Sequence, residues 1–319
     1  MRLHHRPSFD AVQSPTAVSI GNFDGVHSGH QALFRKVVQT AGSRYLVPTV
    51  LTFNPHPQTY FGQKAAYAHI SPIRNNLGWM AHYGIEQAAV LTFDKGFSRQ
   101  TPEFFANDIL VRRLRARHVW VGDDFRFGHG RTGDFAMLRS LGTRYGFEVE
   151  RMPQVTQGGQ RIASSRIRQH LQHGEVDAAL ALLGHPLIYT AHVVHGKKLG
   201  RTLGYPTLNM RLPIPHSALT GILAVWVHGL ESSPLPGVAS LGRRPTVENE
   251  GALLLETHVF DWSADVYGKN PSIEVVGYLR PELHFACLAD LRAQMAQDAM
   301  QARILLQTRT PLFQPGLIR

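Results

Sequence analysis

Two hydrophobic rhythms, separated at Gly184, constrain this chain more than any other feature of its sequence. Up to that point, short apolar runs alternate with amphipathic stretches. TAVSIGNF (16–23), LVPTVLTF (46–53), QAAVLTF (87–93) and HVWVGDDF (118–125) read as buried strands, and FEVERMP returns as another. Between them, HQALFRKVVQTA (30–41) carries Leu33, Phe34, Val37 and Val38 at helical spacing. A stretch around 72–82 also reads as a helix, as do PEFFANDILVRRL (102–114), with Pro102 near its first turn, and LRSLGTRYG (138–146), which ends in Gly146. Alternation of this kind specifies a doubly wound, mostly parallel sheet. Two short helices over 164–173 and 176–183 close the first half. Past Gly184 strands follow one another without helices: YTAHVVHG, TGILAVWVHG, PGVASLG, LLLETHVFD and SIEVVGYL, punctuated by Gly and Pro. That pattern predicts a small antiparallel barrel. A last helix over 288–306 is expected to pack through Leu291, Met295, Ala299, Ala302 and Leu306. The expected domains are 1–184, α/β, and 185–319, an antiparallel β-barrel with a terminal helix.

Composition narrows the function classes. Hydrophobic residues make up 43% of the 319, enough for two packed cores, and no run of 18 apolar residues predicts a spanning helix. The opening MRLHHRPSFD lacks an apolar h-region, so a secretory signal is not expected. The single cysteine, Cys287, has no internal partner for a disulfide, which fits a reducing, cytoplasmic setting. Lys and Arg exceed Asp and Glu by 33 to 23, a net charge of +10 that attracts polyanions. Charge alone does not choose between nucleic acid, an anionic membrane and small phosphorylated substrates. The cations are scattered, however. The densest stretches, VRRLRARH (111–118) and GKKLGR (196–201), do not reach a block of five or six like charges. That scatter counts against a specific nucleic-acid surface, and the oligomeric state is not legible.

The strongest chemical constellation is GNFDGVHSGH, Gly21–His30, at a strand-to-helix junction. Gly21, Gly25 and Gly29 let the backbone approach a ligand, and the following helix directs its N–H groups and positive dipole end at the same spot. His27 and His30, three apart, share a helix face. A polyphosphate suits this arrangement. A metal pair is the competing reading, but a lone His-x-x-His supplies only two ligands, and histidines satisfied within the fold remain the plain alternative. The motif is neither a Walker A loop nor a G-x-G-x-x-G fingerprint.

Further motifs sit at element ends. Asn54 in LTFNPHP (51–57) closes a strand, where α/β sheets place ligands, although an Asn–Pro turn also accounts for it. Asp124 in VGDDFRFGHGRTGD (121–134) is a ligand contact or a solvated turn carboxylate, and the glycines after it read as a mobile loop. IASSRIRQHL (162–171) opens a helix that Ser164 or Ser165 can cap, with Arg168 in reach of a phosphate. In the second half, HGKKLGRTLGYPTLN (195–209) sets Gly196, Gly200 and Gly204 among cations, as an anion cradle or a basic hairpin turn. Glu256 interrupts an apolar strand, either facing solvent or serving a site.

The motif GxFDGxHxGH resembles the HxGH signature of the nucleotidyltransferases. Together with LTFNPHP, VGDDFRFGHGRTGD, IASSRIRQHL and GRTLGYPTLN, in family order and spacing from about residue 14 to 308, it makes the chain resemble the bacterial bifunctional riboflavin kinase/FMN adenylyltransferases, or FAD synthetases. The resemblance implies an N-terminal Rossmann-like nucleotidyltransferase domain and a C-terminal riboflavin kinase barrel. It implies ATP binding in the first by Gly21, Phe23, Gly25, His27, His30, Ser164, Ser165 and Arg168, with both histidines on the ATP phosphates at the transition state. It implies flavin contacts from Asn54, Asp124 and Arg280, the last in YLRPELHF (278–285). In the barrel it implies ATP contacts from Gly200, Arg201, Thr207 and Asn209, Mg²⁺ at Thr207 and Asn209, and Glu256 as base on the ribityl 5′-hydroxyl. The implied substrates are riboflavin, FMN and ATP, with FMN as intermediate and FAD as product.

The chain departs from that pattern in places. Leu223 stands where a tyrosine is common, a change of packing rather than of catalysis. His284 replaces a basic residue in the flavin loop, so flavin affinity is expected to fall as pH rises. IRNNL (73–77) puts Asn75 and Asn76 where charges are usual, and Cys287 stands at a helix start in place of a serine cap. Two other classes are compatible with parts of the sequence. A different nucleotidyltransferase would leave the GRTLGYPTLN barrel idle, and a nucleic-acid binder would leave the Gly, His, Ser and Thr clusters unexplained.

Overall fold

The computed structural model describes residues 1–5, 12–62, 67–196, 200, 203–243, 253–314 and 316; Arg201 lies outside them. By internal packing the chain forms two units, Met1–Tyr67 with Asn76–Ile162, and Ala68–Asn75 with Ala163–Leu317. This division differs from the 184/185 boundary in grouping the two helices that follow Ile162 with the second unit.

The first unit is built on a six-stranded, wholly parallel sheet. Its strands are β1 (Arg2–His5), β2 (Thr16–Ile20), β3 (Val47–Asn54), β4 (Gln87–Thr92), β5 (Ala116–Val121) and β6 (Glu148–Arg151), in the order β1-β4-β3-β2-β5-β6. All five residues of β2 are buried, as a central parallel strand requires. Helix α1 (Ser28–Arg44) packs on β2 and β3, burying Leu33, Phe34 and Val37. Helices α2 (Pro57–Phe61) and α3 (Ile73–His82) follow β3. The expected helix at 102–114 starts as α4 (Pro102–Phe104), with Thr101 Oγ1 accepting from the Phe104 N–H at 3.1 Å, then widens into π-type turns over Phe105–Arg113. That segment and α5 (Phe135–Tyr145) cover Val18, Ile20, Leu51, Val119 and Val121. Strand β1 was not expected, because RLHH holds one apolar residue; it pairs with β4 as an exposed edge. A short hairpin, β7 (Thr156–Gln157) and β8 (Gln160–Arg161), completes the unit.

The second unit holds α6 (Ser164–Gln172), α7 (Val176–Leu183) and a seven-stranded antiparallel sheet. Its strands are β9 (Leu187–Thr190), β10 (Val193–Val194), β11 (Leu208–Arg211), β12 (Gly221–His228), β13 (Leu235–Arg243), β14 (Leu253–Val259) and β15 (Ser272–Arg280), in the order β10-β11-β14-β13-β12-β15-β9. The two edge strands, β9 and β10, are joined by Ala191 and His192 alone. Two residues span about 7 Å, so the sheet must curl until its edges meet. The barrel follows from that short link. Helix α8 (Leu288–Gln307) packs on β12, β13 and β15 through Ala302 and Leu306, which meet Ala224, Phe260 and Val276. Cys287 caps it, Sγ accepting from the Asp290 N–H at 3.5 Å, and Leu223 is fully buried in the barrel core.

Candidate active sites

In the first unit three motifs leave the carboxyl ends of three adjacent strands. Gly21 follows β2, Asn54 ends β3, and Gly122, Asp123 and Asp124 follow β5. The chain runs from β2 to one side for β3 and β4, then crosses to the other side for β5. Such a switch point opens a crevice where α/β sheets bind ligands. His27 is the N-cap of α1, its Nδ1 accepting from the His30 N–H at 3.4 Å, which leaves the proton of the neutral ring on Nε2. The His27 and His30 rings stack with centroids 3.6 Å apart. His30 Nδ1 is buried and has no hydrogen-bond partner among the described residues. Burial, and secondarily the charge His27 would carry, push the His30 pKa well below the ordinary histidine value. His30 is therefore poised as a neutral donor in the free protein.

The glycines have defined jobs here. A Cβ at Gly21 would stand 2.9 Å from the Phe23 ring, and one at Gly29 would stand 3.1 Å from the His27 ring. Gly25 adopts φ +78°, which a side chain would resist. Phe23 packs edge-on to His30 and Phe34. Asn54 is exposed at its strand end, before a cis Pro55. Asp124 is exposed and paired with Arg161 at 3.1 Å; Arg161 also meets Asp123 at 3.0 Å, and Asp123 accepts from Gln154. In the glycine loop, Gly128 (φ +73°) lies against Pro102, and Asp134 caps α5 through the Met137 N–H at 2.9 Å.

Ser164, Ser165 and Arg168 open α6 in the second unit. The capping expected of the serines does not occur. The N-cap is Ala163, with no side-chain cap, because both serines already lie inside the helical first turn. Asn75 and Asn76, at the start of α3, are buried, where a charge would be costly. Asn76 Oδ1 accepts from the Gly25 N–H at 3.1 Å. Asn75 Nδ2 donates to Thr190 Oγ1 at 3.2 Å.

The barrel carries the second site. Asn209 on β11 and Glu256 on β14 are directly opposed, and Ser240 on β13 is the next partner of Glu256. Burial alternates along β14, which puts Glu256 with Leu254 and His258 on the face away from Leu255 and Thr257. Asn209 Nδ2 donates to the Thr207 carbonyl at 3.1 Å and lies 3.4 Å from Thr207 Oγ1, leaving Oδ1 as the acceptor of that amide. Gly196 forms a cradle: a Cβ there would fall 2.5 Å from the Asn209 carboxamide. Gly200 is equally crowded, since a Cβ there would fall 2.3 Å from the Tyr205 carbonyl oxygen, and its own carbonyl accepts from the Tyr205 N–H at 2.7 Å. His258 Nδ1 hydrogen-bonds to the Pro206 carbonyl at 2.9 Å, fixing the residue before Thr207. The hydroxyl and amide oxygens of Thr207 and Asn209 fit Mg²⁺, which takes few protein oxygens and completes its shell from phosphates and water.

Arg280 has a structural partner. Its guanidinium holds Asp298 on α8 through Nε–Oδ1 at 2.8 Å and Nη2–Oδ2 at 2.6 Å. Asp298, Tyr67 and Asp24 carry no weight in the sequence reading, although Asp24 lies inside the quoted motif.

A model of the FAD synthetase family matches residues 9–166, and a riboflavin kinase family model matches residues 183–306. The chain is 41% identical over 293 residues to the bifunctional riboflavin kinase/FMN adenylyltransferase of Escherichia coli K12, covering 92% of this chain and 93% of that protein. It is 38% identical over 287 residues to that of Haemophilus influenzae, covering 90% and 93%. A crystal structure from Streptococcus pneumoniae titled as a macrolide-efflux protein superposes with a TM-score of 0.75 at 28% identity, covering 95% of this chain and 99% of that one. Among the described residues no helix is long and apolar enough to cross a membrane. The two family matches, on a parallel α/β sheet and an antiparallel barrel, define a two-domain flavin-modifying transferase. The chain belongs to the bifunctional riboflavin kinase/FMN adenylyltransferase family.

Proposed function

We propose a specific division of labour between the two units. The chain phosphorylates riboflavin to FMN in its C-terminal domain and adenylylates FMN to FAD in its N-terminal domain. The single observation that supports the residue assignment is that each unit holds its own polar constellation: stacked histidines at a helix start, and an opposed Asn–Glu pair beside a glycine cradle.

In the barrel, Glu256 takes the proton of the riboflavin 5′-hydroxyl as its oxygen attacks the γ-phosphorus of ATP, and ADP leaves. Gly200 lines the phosphate chain, and the family resemblance assigns Arg201, outside the described residues, to ATP as well. Thr207 and Asn209 would hold Mg²⁺, which neutralises developing phosphate charge when bound. In the α/β unit, an FMN phosphate oxygen attacks the α-phosphorus and pyrophosphate leaves. His27 and His30 donate to the phosphates, Gly21, Phe23 and Gly25 shape the loop, and the family resemblance assigns Ser164, Ser165 and Arg168 to ATP as well. Asn54 and Asp124 meet the flavin, and Arg280 the flavin in the barrel. No Ser or Cys nucleophile is required, so both transfers are direct. The functional boundary is placed at 184/185, the partners are riboflavin, FMN and ATP rather than nucleic acid or membrane, and the site of action is the cytoplasm.

One time course tests this. Purified protein is given riboflavin, ATP and Mg²⁺, and flavins are separated by chromatography. FMN rising first with FAD following is the expected result. FMN alone would remove the assignment of His27 and His30, FAD formed only from added FMN would remove that of Thr207 and Glu256, and no product from either flavin would overturn the whole reading.

A further inference from the structure

Between β2 and α1 the backbone takes an unfavourable course. Phe23 (φ +51°), Gly25 (φ +78°) and Val26 (φ +43°) all lie in the left-handed region within four residues. Glycine accepts it. For Phe and above all for β-branched Val it costs on the order of 1–3 kcal/mol per residue, and such strain persists only where neighbours over-determine it. Each residue from 22 to 26 is held by a named group. Thr52 Oγ1 donates to the Asn22 carbonyl at 3.3 Å, the Phe23 ring is packed against Phe34, and Gln31 Nε2 donates to the Val26 carbonyl at 2.9 Å. The two remaining holds come from farther along the chain, from Tyr67 and from Asn76 on α3. Tyr67 Oη donates to Asp24 Oδ2 at 2.9 Å, and Asn76 Oδ1 accepts from the Gly25 N–H at 3.1 Å.

We propose that Tyr67 and Asn76 are positioning residues for FMN adenylylation, holding the strained Phe23–Val26 loop so that His27 and the first turn of α1 face the ATP phosphates. The inference rests on the adenylylation reading above. Asp24 explains why Tyr67 is needed. Its carboxylate is almost fully buried, three residues before His27, beside the place where a polyphosphate must bind. Turned toward that place it would repel the substrate; paired with the Tyr67 hydroxyl it is held aside. The Tyr67 ring is itself fixed by stacking on His56, centroids 3.9 Å apart, in the loop that follows Asn54. Asn76 acts by a different route. As the acceptor for the Gly25 N–H it fixes the residue at the turn's centre, which a charged side chain buried there could do only at a desolvation cost. Both groups act on the loop and neither is required to touch ATP.

The test compares wild type, Tyr67→Phe and Asn76→Ala, each assayed for FAD formed from added FMN and for FMN formed from riboflavin. Tyr67→Phe keeps the ring and its stacking, so it removes one hydroxyl from a protein that still folds. The expected result for each variant is a kcat for adenylylation about tenfold lower, KM for FMN within twofold, riboflavin phosphorylation unchanged and Tm close to wild type. Adenylylation equal to wild type in Tyr67→Phe, or both activities falling in parallel, overturns the inference while leaving the adenylylation reading intact. A wild type that makes no FAD from FMN overturns both.

Discussion

Asn209 and Glu256 are cross-strand partners of β11 and β14, on one face of the barrel. Directly opposed residues have Cβ atoms about 5 Å apart, so under the proposed roles a cation held by the amide and a proton accepted by the carboxylate would serve the same γ-phosphoryl transfer. Glu256→Gln keeps the shape and removes the base. Riboflavin phosphorylation is expected to fall about 10²–10⁴-fold, with FAD formation from added FMN retained. Coupled assays on the two flavins check this directly, and a kinase rate within tenfold of wild type would remove Glu256 from the base's role.

The cradle under Asn209 is a sharper probe of the same site. Gly196→Ala adds a single methyl where the Asn209 carboxamide already stands 2.5–2.6 Å away. Something must move, and the Asn209 amide is the group displaced. Kinase kcat is expected to drop at least tenfold, with a raised Mg²⁺ requirement and unaltered adenylylation. A Mg²⁺ titration of kinase activity in wild type and variant reads this.

His27→Ala and His30→Ala should do the reverse. Each removes a preorganised donor at the start of α1, comparable to losing one oxyanion-hole donor, and adenylylation is expected to fall about 10²-fold or more. Phosphorylation of riboflavin should survive in both. Loss of both activities together would refute the two-site division.

His30 also links protonation to stability. Its pKa in the folded protein is depressed by burial, and further by the nearby His27. Between that depressed value and the ordinary one near 6.5, the unfolded chain binds a proton that the folded chain does not. The stabilisation is therefore complete above about pH 6.5 and is lost as pH falls through the window beneath it. Between pH 7.5 and 5.5 the wild type is expected to lose roughly 2–4 °C more in Tm than His30→Asn, the scale of about 1 kcal/mol in a domain of this size. Parallel thermal melts of the two proteins decide it; identical slopes would mean that His30 titrates normally.

Both fold classes were legible because their signals are local. Continuous apolar runs such as TAVSI mark central parallel strands, and the end of helical spacing after Gly184 marks the barrel. The histidine and PTLN motifs were legible for the same reason: their residues lie within ten positions of one another. Strand β1 was missed because an exposed edge needs no apolar pattern. The serines of α6 were misread as caps because a capping box and a first turn differ by one residue of register. Tyr67 reaches Asp24 across 43 residues, and Asp298 reaches Arg280 across 18. Partners that distant leave no periodic trace in either segment. The paired asparagines were visible only as missing charges, whereas burial at the start of α3 is the reason charges are absent.

The Arg280–Asp298 pair separates two roles for Arg280. Asp298 is almost fully buried, and Gln294 Nε2 also donates to it at 3.0 Å, so the pair ties α8 to the end of β15. Asp298→Ala leaves the guanidinium without its carboxylate in a largely enclosed place. Breaking one side of such a pair costs about 3 kcal/mol or more, so a marked fall in Tm is expected. If Arg280 serves only α8, Arg280→Ala and Asp298→Ala should destabilise alike and leave KM for riboflavin unchanged. If Arg280 also meets the flavin, Arg280→Ala should raise that KM several-fold at a temperature where both variants are folded, while Asp298→Ala raises it less. Denaturation curves and kinase KM values for the two variants distinguish these outcomes, and the flavin assignment of Arg280 stands or falls on the difference between them.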